Sequence, residues 1–371
     1  MVEYRLVGEL PDPFVFASGE RVRTRQDWFR RRAEILEIVL RIEYGPLPPA
    51  PKAVEAECLH PTAVARIGVA QHIRYRLHIV GGARPFWFMV TVMLPEADGL
   101  LPVVVNGDAC WRYLTEEVIA EVMRRGYGLV YFDRTEIVPD AYHSRRDSGL
   151  YLVYPDGEFA AISAWAWAYH RVVDFLVTQE WANPQQIAVV GHSRGGKTVL
   201  LAGATDERIA LTAPNNSGSG GAGCFRWQGK DCEKLADGVR MVPYWYSPRL
   251  ADYIDREDAL PFDQHFLKAC VAPRALLSTE ALGDLWANPS GTYQTYAAAR
   301  EVYRFLGAEE KIGIWFREGE HNHGLEDWLA FLDFADWRFR GIGPRRDFSP
   351  HPFPDMPLAF SWSAPRPDYD Q

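Results

Sequence analysis

Residues 187–201 read IAVVGHSRGGKTVLL. An apolar, β-rich run at 187–190 ends in Gly191-His192-Ser193-Arg194-Gly195, and a helix-compatible segment at 197–201 follows at once. This is the G-x-S-x-G pattern in the context of strand, tight turn and helix. A serine at the tip of such a turn is held under backbone strain with its Oγ pushed out of the sheet. The residues two before and two after it crowd each other, so both must be small, and Gly191 and Gly195 meet that demand. The following helix aims its free N–H groups and its positive dipole end at a reacting carbonyl. The same residues also fit a second pattern. Gly191 to Thr198, GHSRGGKT, matches the phosphate loop G-x-x-x-x-G-K-[ST], which also lies between a strand and a helix. What separates the two readings lies elsewhere: a nucleophile needs a late histidine and an acid on loops after later strands.

Working outward, the periodicity predicts strands at 73–80 and 86–94, joined by a segment opening with Gly81-Gly82, and a strand at 101–105 buried on both faces. Further strands are expected at 128–132, 209–213, 275–279 and 312–316. Helices are expected at 28–42, 116–125, 160–179, 293–306 and 325–339. Thr24 precedes the first helix, Gly45 and the Pro-rich run 46–51 stop it, and its Arg30-Arg31-Arg32 triplet reads as a solvated face. The loop 133–157 and the aromatic stretch 223–270 show little periodicity, and the latter reads as an excursion over the sheet edge. Strands alternating with helices predict a mostly parallel central sheet in a three-layer α/β/α sandwich, with catalytic residues beyond the C-terminal ends of strands. The expected organisation is one catalytic domain over 1–371. It carries an N-terminal extension to about residue 63 and a Pro-rich tail from about 343.

A serine hydroxyl is a weak nucleophile until a base takes its proton. In this type of fold the chain order is Ser, acid, His. After the strand at 312–316 comes Arg317-Glu318-Gly319-Glu320-His321-Asn322-His323, with His321 as the expected base and His323 in reserve. After the strand at 275–279 comes Glu280-Ala281-Leu282-Gly283-Asp284-Leu285-Trp286. Asp284 lies where a carboxylate could accept from an imidazole Nδ1–H. Glu280 competes for that role, and Asp284 could instead only cap the next turn. The backbone N–H of Arg194 is one donor for a developing oxyanion, and a second is expected from Asn106-Gly107 after the strand at 101–105.

Composition narrows the partners. The 371 residues carry a net charge of −9, which argues against nucleic acid or an anionic membrane. The 13 Trp and 17 Tyr suit flat-faced ligands such as sugars and phenolics, besides filling a core. Five scattered cysteines without a C-x-x-C pair predict neither a zinc site nor a disulfide framework, with a Cys224–Cys232 bridge left open. No metal or cofactor is expected. The first residues lack a signal-peptide pattern, so the chain reads as cytoplasmic, or as secreted or periplasmic with its signal already removed.

The run VVGHSRGGKTVLLAGATDERIALTAPNNSGSGGAGCFR resembles the core of the glucuronoyl esterases, carbohydrate esterase family 15, on an α/β-hydrolase fold. Their G-C-S-R-x-G-K motif appears as Gly191 to Lys197, D-E-R-I as Asp206 to Ile209, and S-G-x-G-G as Ser217 to Gly221. Further matches are Leu260 to His265, Ala272-Pro273-Arg274, Trp28 with the arginine triplet, and Tyr44-Gly45-Pro46. The resemblance implies a serine carboxylesterase cleaving the ester between a glucuronic acid carboxyl on xylan and a lignin alcohol. It implies that the Arg194 side chain assists the oxyanion, that Lys197 meets sugar hydroxyls, and that Trp286 packs on the uronate. It also accounts for Gly-Lys-Thr without a nucleotide. Three positions depart from the family pattern. His192 replaces the cysteine before the serine, Asn322 replaces a cysteine after the base, and Asn216 stands where many members carry a catalytic glutamate. An amide cannot be the charged partner of an imidazolium, so the charge should come from Asp284. An acetyl or aryl esterase with the same triad, and an inactive carbohydrate-binding homologue, are the alternatives.

Overall fold

The computed structural model describes residues 3–111, 114–142 and 146–366. Eleven strands are found among them: β1 (Tyr4–Leu6), β2 (Ala53–Arg66), β3 (Val69–Val80), β4 (Phe86–Leu94), β5 (Leu101–Asn106), β6 (Gly128–Phe132), β7 (Ala182–His192), β8 (Leu211–Asn215), β9 (Trp227–Gly229), β10 (Ala275–Ala281) and β11 (Ile312–Arg317). Nine of them form one sheet in the order β2-β3-β4-β6-β5-β7-β8-β10-β11. From β6 to β11 all neighbours are parallel, while β2, β3 and β4 form an antiparallel flank.

Period-two alternation explains why the centre of the sheet is apolar throughout. Val103 and Val105 pack with the helices Ala161–Leu176 and Arg194–Thr205, whereas Val104 packs on the opposite face with Glu116–Arg124 and Leu325–Arg340. Ile187 and Val189 divide from Ala188 and Val190 in the same way. The result is the helix–sheet–helix sandwich expected of an α/β-hydrolase. No helix among the described residues is long and apolar enough to cross a membrane, and all five cysteines carry free thiols.

Two local expectations need correction. Residues 53–63, read as the end of an N-terminal extension, belong to the edge strand β2, which pairs with β3 along its length. Its pattern was hidden because an edge strand half in solvent carries Glu55, Glu57, His60 and Pro61 without cost to the core. The arginine triplet is not a solvated face. Consecutive helical residues fan out by about 100° each, so only Arg30 is left on the water side, paired with Asp27. Arg31 is buried and donates to Pro13 O at 3.2 Å. Arg32 donates to Cys270 O at 2.7 Å and Ala204 O at 2.8 Å, tying the helix Arg25–Val39 to the body. That helix begins with a capping box between Thr24 and Asp27 and ends in a π-turn, Leu40–Tyr44, before Gly45 at φ 72°.

The N-terminal strand β1 pairs with β9 as a two-stranded ribbon over the excursion. The Pro-rich tail is tied down by hydrogen bonds along its length, three of which reach a strand and the N-terminal segment. Phe348 O accepts from Ile314 N, Ala359 O accepts from Leu10 N, and Trp362 Nε1 donates to Leu10 O, each at 2.8 Å.

Candidate active site

Ser193 joins β7 to the helix Arg194–Thr205 with φ 55° and ψ −121°. That backbone region is disfavoured for an L-residue and is found where surrounding structure enforces it. Three contacts enforce it here. Ser193 N–H donates to Asn215 O at 2.9 Å, and Ser193 O accepts from Lys197 N at 3.0 Å. His192 N–H donates to Asp108 Oδ2 at 2.8 Å. Both glycines are required by space. A Cβ on Gly191 would meet Gly195 O at 2.5 Å, and one on Gly195 would meet Asp108 Oδ1 at 2.1 Å. Asp108 itself is fully buried against the Arg134 guanidinium, and burial raises its carboxyl above the ordinary range while Arg134 opposes the shift.

The acid and base loops follow β10 and β11, neighbouring parallel strands, and are zipped together. Leu282 N–H donates to Arg317 O at 2.8 Å and Gly283 N–H to Gly319 O at 2.9 Å. A Cβ on Gly283 would come within 2.5 Å of Gly319 O, so only glycine permits this approach. In this setting His321 Nδ1 lies 2.5 Å from Asp284 Oδ2. The carboxylate side chain is 3% exposed and the imidazole 42%. Asp284 also caps the following turn, its Oδ1 accepting from Ala287 N at 3.3 Å. Ser193 and His321 line one cavity of about 220 Å³, together with Arg194, Lys197, Asn216, Glu233, Trp245 and Trp286.

The competing candidates are placed differently. Among the described residues no hydrogen bond joins Glu280 to His321, and burial holds the Glu280 carboxyl well above its usual range. His323 is 2% exposed, stacked on Trp328 at 5.2 Å, and lowered to about 3 by burial and then by the Arg317 cation. It is a packing residue. His192 is likewise held neutral, lowered to about 2 by burial and by the neighbouring His323 and His321. Its Nδ1 meets Asn215 Oδ1 at 2.5 Å, and its ring lies 4.4 Å from that of His321.

Asn216 is a strut. Its Oδ1 accepts from Ala281 N at 2.7 Å and its Nδ2 donates to Asn322 O at 3.0 Å, so one amide spans the loops that carry Asp284 and His321. A carboxylate could accept from the first loop but could not donate to the second.

Asn106 and Gly107 are not brought to the serine. The Asn106 side chain is buried, donating to Val190 O at 3.0 Å and accepting from Asp108 N at 2.9 Å. The Gly107 N–H donates to Tyr169 Oη at 2.6 Å. Neither residue lines the cavity, and these two donors are spent on Val190 O and Tyr169 Oη. Arg194 remains at the mouth. Its Nη1 donates to Asp140 Oδ2 at 2.9 Å, and its guanidinium lies 4.7 Å from the Trp245 ring centroid and 5.4 Å from that of Trp111. Tyr244 Oη and Trp245 Nε1 hold the other Asp140 oxygen at 2.8 and 3.0 Å.

Lys197 is 3% exposed, and its Nζ donates to Ser217 O at 2.8 Å, to Ser219 O and to Glu233 Oε2 at 3.0 Å. All three of its hydrogens thus have protein acceptors. Glu233, Asp140 and Trp245 escaped the sequence reading. They lie in aperiodic stretches, where no spacing marks a residue as facing the cleft. Trp286 lines the cavity and is 46% exposed.

A family model described as glucuronyl esterase, fungi, matches residues 78–307. A 4-O-methyl-glucuronoyl methylesterase of Podospora anserina is 32% identical over 86% of this chain. The chain spans 64% of the length of that protein and 65% of the corresponding enzyme of Cerrena unicolor. A solved carbohydrate esterase family 15 glucuronoyl esterase from Caldicellulosiruptor kristjansonii superimposes with a TM-score of 0.82 at 28% identity, covering 98% of both chains. A mutant glucuronoyl esterase from Sporotrichum thermophile, solved with methyl 4-O-methyl-β-D-glucopyranuronate, superimposes at 0.74 with 26% identity over 93% of this chain and 91% of its own. With the nucleophile turn, the sheet order and these likenesses together, the chain belongs to the glucuronoyl esterase family, carbohydrate esterase family 15, of α/β-hydrolase fold.

Proposed function

We propose that this protein is a serine carboxylesterase that hydrolyses esters of glucuronic acid, 4-O-methylated or not, through an acyl-enzyme. The observation that carries the reading is the cavity shared by Ser193, on its strained turn, and His321, held by Asp284 at 2.5 Å. Ser193 Oγ attacks the ester carbonyl while His321 Nε2 takes its proton. Asp284 accepts the Nδ1–H, keeps the tautomer and stabilises the imidazolium. The oxyanion forms near the first N–H of the helix Arg194–Thr205, a position without an intrahelical acceptor, and beside the Arg194 guanidinium. The intermediate collapses by breaking the bond to the alcohol, which leaves with the proton from His321. Water then attacks the acyl-enzyme by the same steps in reverse, releasing the uronic acid and free Ser193.

Glu233 offers a carboxylate to the same cavity, where sugar hydroxyls can donate to it, and Lys197 holds that carboxylate in place. Trp286 gives the ring a flat apolar face. The relatives named above act on glucuronoyl esters by name, and the acid at Asp284 favours an active enzyme over a binding homologue. The test is hydrolysis of benzyl and methyl glucuronate by the parent and by Ser193→Ala, with an acetylated xylo-oligosaccharide as the competing substrate. Glucuronate esters should be cleaved with the higher kcat/KM, and Ser193→Ala should lose at least about 10⁴-fold in kcat. A preference for the acetyl ester would instead identify an acetyl esterase.

A further inference from the structure

The loop that carries His321 runs from Glu318 to Gly324 with no strand or helix of its own, and residues 318–322 are exposed. Such a segment drifts unless something fixes it. The residue that opens it does so. Arg317, at the end of β11, turns its side chain back into the loop. Its Nη1 donates to Glu318 O at 3.0 Å, and its Nη2 donates to Glu320 O at 3.2 Å and to Asn322 O at 2.9 Å. His321 therefore stands between two carbonyls that one nitrogen holds. Gly319 lets the chain close round the cation. Its φ is 100°, and a Cβ there would come within 3.0 Å of Arg317 Nη1.

The guanidinium is itself anchored. Its Nε donates to Asp327 Oδ1 at 2.8 Å, and the two side chains are 8% and 1% exposed. Asp327 sits in the first turn of the helix Leu325–Arg340, where a carboxylate is favoured. Its Oδ2 accepts from Gly324 N at 2.9 Å, at the far end of the same loop. Its Oδ1 also accepts from Asn215 Nδ2 at 3.1 Å, and Asn215 O is the acceptor for the Ser193 N–H. The backbone of Arg317 serves the acid, since its carbonyl accepts from Leu282 N in the Asp284 loop. One arginine is thus tied to the loops of all three catalytic candidates. A planar fork suits this task, because Nε and both Nη groups reach separate acceptors from fixed positions. A lysine carries its three donors on one atom.

We propose that Arg317, locked by Asp327, is the positioning residue of the base. Asp284 fixes the imidazole by its edge, and Arg317 fixes the backbone from which the imidazole hangs. Arg317 does not line the serine cavity. Its effect on the rate runs through His321, and a misplacement of about 1 Å at such a site costs about 10²-fold. The assignment rests on the reading of His321 as the base.

The test follows two rates. One is kcat on benzyl glucuronate. The other is the rate at which an aryl phosphonate ester labels Ser193, which needs the base but no uronate. Arg317→Lys keeps a cation beside Asp327 and loses the fork, while Arg317→Ala loses both. Arg317→Lys should lower both rates about tenfold and Arg317→Ala about 10²-fold, with KM within about twofold of the parent. Neither substitution should lower either rate further in a His321→Ala background, where no base is left to position. Parent rates in both Arg317 variants, or equal losses with and without His321, overturn the proposal. So does a loss in Arg317→Lys that appears only in KM. Where a thermal melt shows Arg317→Ala unfolded, Arg317→Lys decides by the same criteria. The readings beneath the proposal fail separately. His321→Ala labelled at the parent rate would remove His321 as the base. Labelling that depends on His321, without cleavage of the glucuronate ester, would remove the uronate substrate and leave the labelling rates to decide on Arg317.

Discussion

Arg194 and Lys197 stand three residues apart on one helix and border one cavity, yet the structure treats them in opposite ways. The Arg194 side chain is 30% exposed and gives one hydrogen bond, to Asp140, between two indoles. Among the described residues its other side-chain N–H groups have no hydrogen-bond acceptor. Lys197 is buried, and every hydrogen on its ammonium is committed to the chain. In the proposed mechanism the first cation faces the charge that appears during reaction. The second builds the wall from which Glu233 meets a ligand. On the proposed mechanism, the motif S-R-x-G-K supplies one group for the transition state and one for the architecture of the site.

Substitutions should separate these roles by the quantity that moves. Arg194→Ala should lower kcat by about 10²–10³, as removal of an oxyanion donor does elsewhere. Asp140→Asn should lower kcat by about tenfold in the parent and have no further effect in the Arg194→Ala background, because its effect runs through the guanidinium. Steady-state kinetics on benzyl glucuronate reads both, and strictly additive losses would make Asp140 a mere packing residue. Lys197→Met should be read mainly in a thermal melt. It leaves the Glu233 carboxylate and two carbonyls without their donor, a loss of about 3–5 kcal/mol of stability. Glu233→Gln keeps the shape of the wall and should raise KM by about tenfold with kcat nearly unchanged. A kcat loss in Glu233→Gln as large as that in Arg194→Ala would erase the contrast.

On stability, an effect of pH is also expected. His192 and His323 are depressed to about 2 and about 3, and His170 and His265 to about 4, burial being the first cause in each. The folded state therefore binds fewer protons than the unfolded state below the ordinary histidine value of about 6.5. Stability from these groups is complete above that pH and is lost as pH falls toward the folded values. By pH 5 the loss is about 1–2 kcal/mol for each histidine. Melting temperatures from pH 7.5 to 5 should fall, and less steeply in His323→Asn. A flat profile for the parent would show that these rings are solvated.

The sequence was most legible where spacing has a steric cause. Gly191, Ser193 and Gly195 could be assigned from a five-residue pattern because the turn admits nothing larger. The sheet centre was legible because strands buried on both faces must be apolar. Asp284 and His321 were reached by counting loops along the strand order, and Asn216 pointed to Asp284 by what an amide cannot do. Legibility ended where backbone geometry decides. Asn106 and Gly107 lie at the right strand end, but their donors are drawn to Val190 and Tyr169 instead. Asp140 and Glu233 lie in irregular chain, where a carboxylate facing the cleft has the same sequence surroundings as one in water. Edge strand β2 was concealed for a related reason, since its exposure relaxes the alternation that marks a strand.

The most direct measurement is kcat for Asp284→Asn on benzyl glucuronate. The substitution keeps the shape beside His321 and removes the charge. The expected result is a loss of about 10³–10⁴ in kcat with KM little changed. Activity at the parent level would contradict the assignment of Asp284 as the acid and, with it, the reading of Ser193, His321 and Asp284 as one catalytic unit.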